Sequence, residues 1–466
     1  MRLEQKEIPY KMLTIPADTL TPIRIFQQLN GKKKFLLESS FTHEKKGKFS
    51  YIGVDPFQEI IGHQHTTTII EHLTQQTKHI NQHALTYLRN QFPMIEVDIP
   101  LPFFGGAIGY IGYDAIKHYV NVGHELPDEL NMPDLHLMVY DQLIVYEHTR
   151  ERVYLIALNM HDEDETTLDR KLEQMKKLLY QDITNSPIEP IKTTFTATMS
   201  KETFIEKVKT AKQHIHNGEV EQIVVSKRMQ APFTGDPLSY YRRLRMNNPS
   251  PYMFYIDFTD YLIIGTSPES LIQTTGDQVV TNPIGGTRHR GKTLEEDEML
   301  MKELLADPKE RSEHQMLVEL SKHDLQKVCQ QDSITVPMYM EIEKYQHVMH
   351  LVAEVHGTLQ PEKNSIDALI AVLPAGTISG TPKFRAMELL NEIEDTKRGF
   401  YSGGIGYLSF NHDLNFALAI RSLIIKDDVA FLQTGAGIVA DSDPEKEYDE
   451  TLHKARSLME VNEMTD

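Results

Sequence analysis

Along the first 160 residues the apolar side chains come in short runs, Phe35-Leu36-Leu37, Ile108-Gly109-Tyr110-Ile111 and Leu143-Ile144-Val145-Tyr146, set apart by Gly, Pro and polar clusters. Such runs are too short for a packed helix, which averages about three turns, so this part of the chain is limited to a strand-rich unit. The charged residues 162–181 follow and read as a helix. In Asn185-Ser186-Pro187-Ile188-Glu189-Pro190, two prolines and little apolar content mark a boundary. It separates an N-terminal unit over residues 1–185 from a second unit over 195–462.

The second unit mixes element types. Phe204, Val208, Ala211 and Ile215 recur at helical spacing, with Gly218 as a stop, which predicts an amphipathic helix over 201–217. Gln222-Ile223-Val224-Val225-Ser226 and Leu262-Ile263-Ile264-Gly265 read as buried strands. A helical tract runs from Leu294 to Cys329, and strands are expected over 405–410, 416–425 and 429–434. This order predicts an α+β fold of layered sheets with flanking helices rather than regular βαβ alternation. At 466 residues, 40% of them hydrophobic, the chain can bury a large core.

Charge and cysteine usage narrow the function. Acidic residues outnumber basic ones 67 to 48, a net charge of −19, which argues against a nucleic-acid partner. The single cysteine, Cys329, allows neither an internal disulfide nor a thiolate metal site. With no signal-type N-terminus and no long apolar run, the expectation is a soluble, cytoplasmic protein with no membrane partner.

Two carboxylate pairs stand at helical spacing, Glu310 with Glu313 and Glu447 with Glu450, the latter followed by Lys454. A spacing of three puts each pair on one helix face. Oxygen-only clusters of this kind suit Mg²⁺, although a solvated acidic face has the same pattern. Three glycine-dense segments, Pro283–Arg288, Pro374–Gly380 and Gly435–Gly437, could let backbone N–H groups approach an anion or could simply be tight turns. Arg421 could grip a carboxylate through two hydrogen bonds. Gly286–Thr293 fits the pattern of a phosphate-binding loop, but Arg288, His289 and Arg290 crowd its interior. His347 and His350 are spaced for a metal, for acid–base work or for ordinary burial.

Read in order, these segments resemble the chorismate-utilising enzymes, and within them the large components of anthranilate synthase. The resemblance rests on residues 265–270, the Gly285–Gly291 loop, 312–319, His347–Leu351, the Pro374–Lys383 loop, 403–407, 419–421, 435–441 and 447–451 with Lys454, and so covers about 200–460. Ser321-Lys322-His323-Asp324, Glu319 and His289 depart from the usual residues. Isochorismate-forming relatives carry a lysine where this chain has Gln222, and aminodeoxychorismate synthases often carry one where it has Gly285, which leaves direct attack by ammonia.

The resemblance implies Mg²⁺ held by Glu313 and Glu450 with support from Glu310 and Glu447, and catalytic roles for Glu269, as general acid, His350 and Thr377. It implies chorismate contacts from Gly286, Thr287, Tyr407, Arg421, Gly435, Ala436, Gly437 and Lys454. Leu36-Leu37-Glu38-Ser39 and Asn248–Met253 resemble a tryptophan feedback site, with Glu38, Ser39, Pro251, Tyr252 and Met253 as the inhibitor contacts. Cys329 has no nucleophile-elbow setting, so ammonia is expected from a separate glutamine amidotransferase subunit. The competing expectations are an aminodeoxychorismate synthase, a nucleotide-binding protein and a catalytically silent tryptophan sensor.

Overall fold

The computed structural model describes residues 5–39, 47–181, 188–189, 191, 193–345 and 348–461. His347 and most of the boundary segment 185–190 lie outside them. Among the described residues the strands form two twelve-stranded sheets, which share the largest buried cluster, and a two-stranded parallel pair, Gln5–Glu7 with Met94–Glu96; helices flank the sheets. Phe254, Ile256 and Ile263 of one sheet meet Ile272, Leu408 and Phe416 of the other in that cluster. The fold is α+β with predominantly antiparallel sheets, as expected.

Both sheets take strands from each side of residue 185. Gly404–Ser409 pairs antiparallel with Gly106–Ile111, and Tyr252–Asp257 pairs antiparallel with Phe35–Glu38. Each half also sends its chain from one sheet to the other. In the second half, Leu262–Ser267 lies in one sheet and Ser270–Thr275 in the other, so Pro268 and Glu269 form the crossover. Leu414–Leu418 and Ser422–Lys426 repeat the step, with residues 419–421 between them. The two crossovers are tied together: Leu418 N donates to Glu269 O at 2.9 Å, Ser267 Oγ to Leu418 O at 2.7 Å, and Thr266 N to Arg421 O at 3.1 Å.

The second crossover corrects the expected single strand over 416–425. Arg421 adopts left-handed backbone, φ 51°, which a continuous strand cannot hold. The helical tract from Leu294 is likewise two helices, Leu294–Ala306 and Pro308–Gln326, broken where Asp307 caps the second and Pro308 occupies its first position. Lys201–His216 is the predicted amphipathic helix, and it buries Phe204, Val208, Ala211 and Ile215. The Gln222 strand runs on to Pro232, and the strand expected over 429–434 extends to Ile438.

Candidate active site

A cavity of about 700 Å³ opens where the two crossovers meet the glycine-rich strands and two helix N-termini. Helix Pro308–Gln326 brings Glu310 and Glu313, and helix Pro444–Met459 brings Glu447, Glu450 and Lys454. Both helices begin with an Asp cap and a Pro, so each carboxylate pair sits in the first two turns, where the helix dipole favours negative charge. Strand Val429–Ile438 alternates its residues across the wall. Gly435 and Gly437 line the cavity, whereas Ala436 is buried on the opposite face with Ile223 and Val225. A Cβ on Gly435 would come within 2.9 Å of the Tyr401 hydroxyl, and one on Gly437 within 2.7 Å of Gln222 Nε2.

Glu269, at the first crossover, faces this cavity and accepts a hydrogen bond from Thr377 Oγ1 at 3.0 Å. Enclosure by protein pushes its carboxyl up to about 7, against the opposing pull of the Thr377 hydroxyl and the Lys454 charge. Lys454 is held by Glu450 at 2.7 Å and by Gly435 O at 3.0 Å. His350 stands in strand Val348–Thr358, not on a helix, with Nδ1 3.0 Å from Thr287 Oγ1 and 3.1 Å from Gly286 O. A carbonyl can only accept, so Nδ1 carries the proton and Nε2 is the acceptor. Burial lowers the imidazole to about 4 and keeps it neutral. Gly286 adopts φ 64°, a conformation that favours glycine, beside Glu310.

Arg421 projects from its crossover into the cavity, and among the described residues its guanidinium has no carboxylate partner. Burial lowers its pKa, with Tyr401 acting in the opposite sense. A half-buried cation that faces a cavity without a carboxylate partner is set up for an anionic group.

The four carboxylates all line the cavity. Burial foremost raises both Glu313 and Glu447, and the neighbouring glutamates add repulsion. Glu447 Oε2 is buried without a hydrogen-bond partner. Arg288 pairs with Glu310, Lys454 with Glu450, and Lys309 lies 3.8 Å from Glu313, but the orphaned Glu447 oxygen and the mutual repulsion of the glutamates still fit a divalent cation. Among the described residues no three His, Cys, Asp or Glu side chains form a ready metal cage. Mg²⁺ needs no such cage, since it uses one or two carboxylates and completes its shell with water and substrate oxygens.

Tyr407 does not reach this cavity. Strand Gly404–Ser409 carries it to a second cavity of about 250 Å³, where it stacks on Phe103 at 4.5 Å and meets Tyr51 edge-on at 5.5 Å. The tyrosine beside Arg421 is Tyr401, in the turn before the Gly403-Gly404 pair. Sequence reading took the later tyrosine of the same segment, because nothing in the sequence shows that the intervening strand turns it away. Lys309, Ser442 and His453 also line the first cavity and had no motif to mark them.

The second cavity gathers Glu38, Ser39, Pro251, Tyr252 and Met253, with Phe49, Tyr51 and Pro102 adding apolar surface. Glu38 Oε2 accepts from Tyr241 Oη at 2.7 Å and pairs with Arg245 Nε at 2.9 Å. The cavities are close in the fold, since Tyr252 pairs in register with Ser267, two residues before Glu269.

The loop that resembled a phosphate cradle is already filled. Asp297 accepts from Gly291 N at 2.9 Å and from Arg290 Nε at 2.7 Å, and Arg288 is held by Glu303, Asp307 and Glu310. An internal carboxylate occupies the place a phosphate would need.

The sequence pattern of the family described as chorismate binding enzyme matches residues 33–460. Anthranilate synthase component 1 of Lactococcus lactis is 42% identical over 461 residues, covering 97% of this chain and 100% of that protein. Aminodeoxychorismate synthase component 1 of Bacillus subtilis is 37% identical, covering 97% of each chain. The crystal structure of anthranilate synthase component I from Streptococcus pneumoniae superposes with a TM-score of 0.82 at 37% identity, covering 96% of this chain and 99% of that one.

Proposed function

Since the chain belongs to the chorismate binding enzymes, we propose that it converts chorismate and ammonia to anthranilate and pyruvate. The observation that carries this reading over its neighbours is what the cavity lacks at two positions. Gln222 and Gly285 both line it, and neither has an amine to activate water or to attack the ring. The nucleophile is then an external ammonia.

Chorismate carries two carboxylates. Arg421, Tyr401 and the backbone of Gly435 and Gly437, which line one cavity, would hold the enolpyruvyl carboxylate. The ring carboxylate faces the glutamates, where it needs a cation. Glu313, Glu450 and Glu447 would hold Mg²⁺, with Glu310 in support; when bound, it neutralises charge and orients the ring carboxylate. Glu269, protonated over much of the neutral range, gives its proton to the departing C4 hydroxyl as the ammonia lone pair forms the C2–N bond. Water leaves and the double bond shifts. Loss of the C2 proton then expels the enolpyruvyl group as pyruvate, and the ring becomes aromatic. Neutral His350 offers Nε2 as an acceptor beside the ring, and Thr377 keeps Glu269 in place.

The second cavity is read as the tryptophan feedback site. Its aromatic and proline walls suit an indole, and the Glu38 carboxylate suits an α-ammonium. Ammonia would come from a separate glutamine amidotransferase subunit. The relatives' designation as component 1 supports this, and so does Cys329, whose buried thiol is pushed up to about 11 and cannot act as a glutaminase nucleophile. A free, buried thiol also suits a reducing, cytoplasmic setting. The test is anthranilate fluorescence from purified chain, chorismate, Mg²⁺ and ammonium salt, with tryptophan or EDTA added in parallel. Anthranilate formation suppressed by both supports the reading; accumulation of an aminated chorismate that keeps its enolpyruvyl group overturns it in favour of the aminodeoxychorismate reaction.

A further inference from the structure

Behind Glu269, on the side of helix Pro308–Gln326, lies a separate small void of about 40 Å³. Its polar wall is Glu269, Ser270, Thr281, Asn282, Ser321, Asp324 and Thr377, and it shares Glu269, Leu317 and Thr377 with the substrate cavity. The volume exceeds the ~10–15 Å³ that one water-sized molecule needs and is far below that of an organic ligand, about 300 Å³ or more. Two of its hydroxyls are short of partners. Thr281 is 5% exposed and Ser270 6% exposed, and neither oxygen is within a good hydrogen bond of a protein atom. Ser270 leans toward the Tyr252 phenol without closing one. Leaving a buried hydroxyl unmet is unfavourable, and an occupant would recover that cost.

The charge balance says what the occupant is. Asp324 is already ion-paired to Lys383 at 2.5 Å and to Lys327 at 2.9 Å, so its carboxylate is taken up by the protein and offers no site for a cation. We propose that the void is a binding chamber for one neutral, water-sized hydrogen-bonding molecule, water or ammonia, anchored by Thr281 and Ser270 against Glu269. This rests on the reading of Glu269 as the site's acid. As water, the occupant solvates the carboxylate and passes its proton. As ammonia, the stronger base, it takes the Glu269 proton, so the two rest as an ammonium–carboxylate pair that is neutral together, and the proton returns to Glu269 as ammonia leaves for the ring.

Thr281→Val keeps the shape and removes the hydroxyl, while Thr281→Ser restores it and is expected to behave like the parent. In a high-resolution crystal structure the parent should show one solvent peak in the chamber that Thr281→Val lacks. If the occupant is ammonia, Thr281→Val raises the KM for ammonium about five- to tenfold, one hydrogen bond's worth, with the KM for chorismate unchanged. If it is water, both KM values stay and the pH limb of kcat set by Glu269 shifts. An empty chamber in the parent, or a Thr281→Val enzyme with neither kinetic change, overturns the proposal. Full turnover in Glu269→Gln would instead defeat the reading of the acid, and the solvent peak would still decide whether the chamber is occupied.

Discussion

Thr377 Oγ1 donates to Glu269 Oε1 at 3.0 Å across the junction of the two sheets, and it is the one described side chain that hydrogen-bonds this carboxyl. The bond favours the ionised form, in opposition to the enclosure that raises the group to about 7. Thr377→Val should therefore move the Glu269 limb of the kcat pH profile upward. Glu269→Gln should lower kcat about 10²–10⁴-fold. It should also change stability with a defined sign. The folded protein holds an extra proton between about 4.5 and 7, so the parent loses stability as pH rises through that window. A glutamine has no proton to lose. The variant should therefore gain on the parent at pH 8, by at most about 3 kcal/mol and less with water in the cavity, and gain little at pH 4.5. Thermal melts at the two pH values check this; an equal difference at both would refute it.

Arg421 is built into left-handed backbone with its guanidinium unmatched, so it costs stability in the free protein. Arg421→Met should keep or raise the melting temperature while raising the KM for chorismate by about 10–100-fold, the worth of a charge-assisted pair. A loss of melting temperature together with unchanged KM would place the residue's role in the fold.

Tyr401 and Tyr407 separate the two cavities in a single experiment. Tyr401→Phe should raise the KM for chorismate several-fold and leave tryptophan inhibition intact. Tyr407→Phe should weaken tryptophan inhibition and leave the KM for chorismate unchanged. Inhibition curves with each variant check both expectations, and the reverse pattern would exchange the roles assigned to the cavities.

These two tyrosines also show what the sequence could and could not disclose. Periodicity exposed the helix that buries Phe204 and Val208, and spacing placed each glutamate pair on one face. Motif order was enough for the family. The failures lie at the sheet crossovers. Residues 416–425 look like one apolar strand, because a single left-handed residue leaves no trace in hydrophobic alternation, yet that residue redirects the chain and creates the Arg421 position. Tyr407 and Tyr401 are both aromatic residues beside glycines, and only the sheet a strand joins decides which cavity each one faces. Ala436 was grouped with its flanking glycines, although strand alternation sends its methyl to the other side.

Glu447 offers a test of the cation that does not depend on turnover. With no cation its carboxyl is raised by burial and by repulsion from Glu450, and Oε2 has no partner. Glu447→Gln should therefore raise the melting temperature in EDTA and reduce the further rise on adding Mg²⁺. At a hundredfold excess over Kd the parent should gain about 2.7 kcal/mol. If the variant retained the full Mg²⁺-dependent gain, Glu447 would not belong to the cation's shell.

Lys227 carries the remaining prediction. It is 1% exposed, its Nζ makes no hydrogen bond, and it lies 3.5 Å from the centroid of the Tyr448 ring, on the helix that bears Glu447 and Glu450. Burial lowers the ammonium to about 8 from an ordinary 10.5, while Asp449 pulls it up. Below pH 8 both folded and unfolded chains are protonated and the burial cost is paid in full. Between 8 and 10.5 the folded chain sheds the proton first, so stability rises with pH. The shift corresponds to about 3 kcal/mol at most, and the cation–π contact offsets roughly 1–2 kcal/mol of it. Lys227→Met should thus be more stable than the parent at pH 7 by about 1–2 kcal/mol, with the advantage shrinking toward pH 10. Denaturant unfolding at pH 7 and pH 10 measures it. A variant less stable at pH 7 would mean that the Tyr448 contact outweighs the desolvation, and that Lys227 holds the carboxylate helix in place.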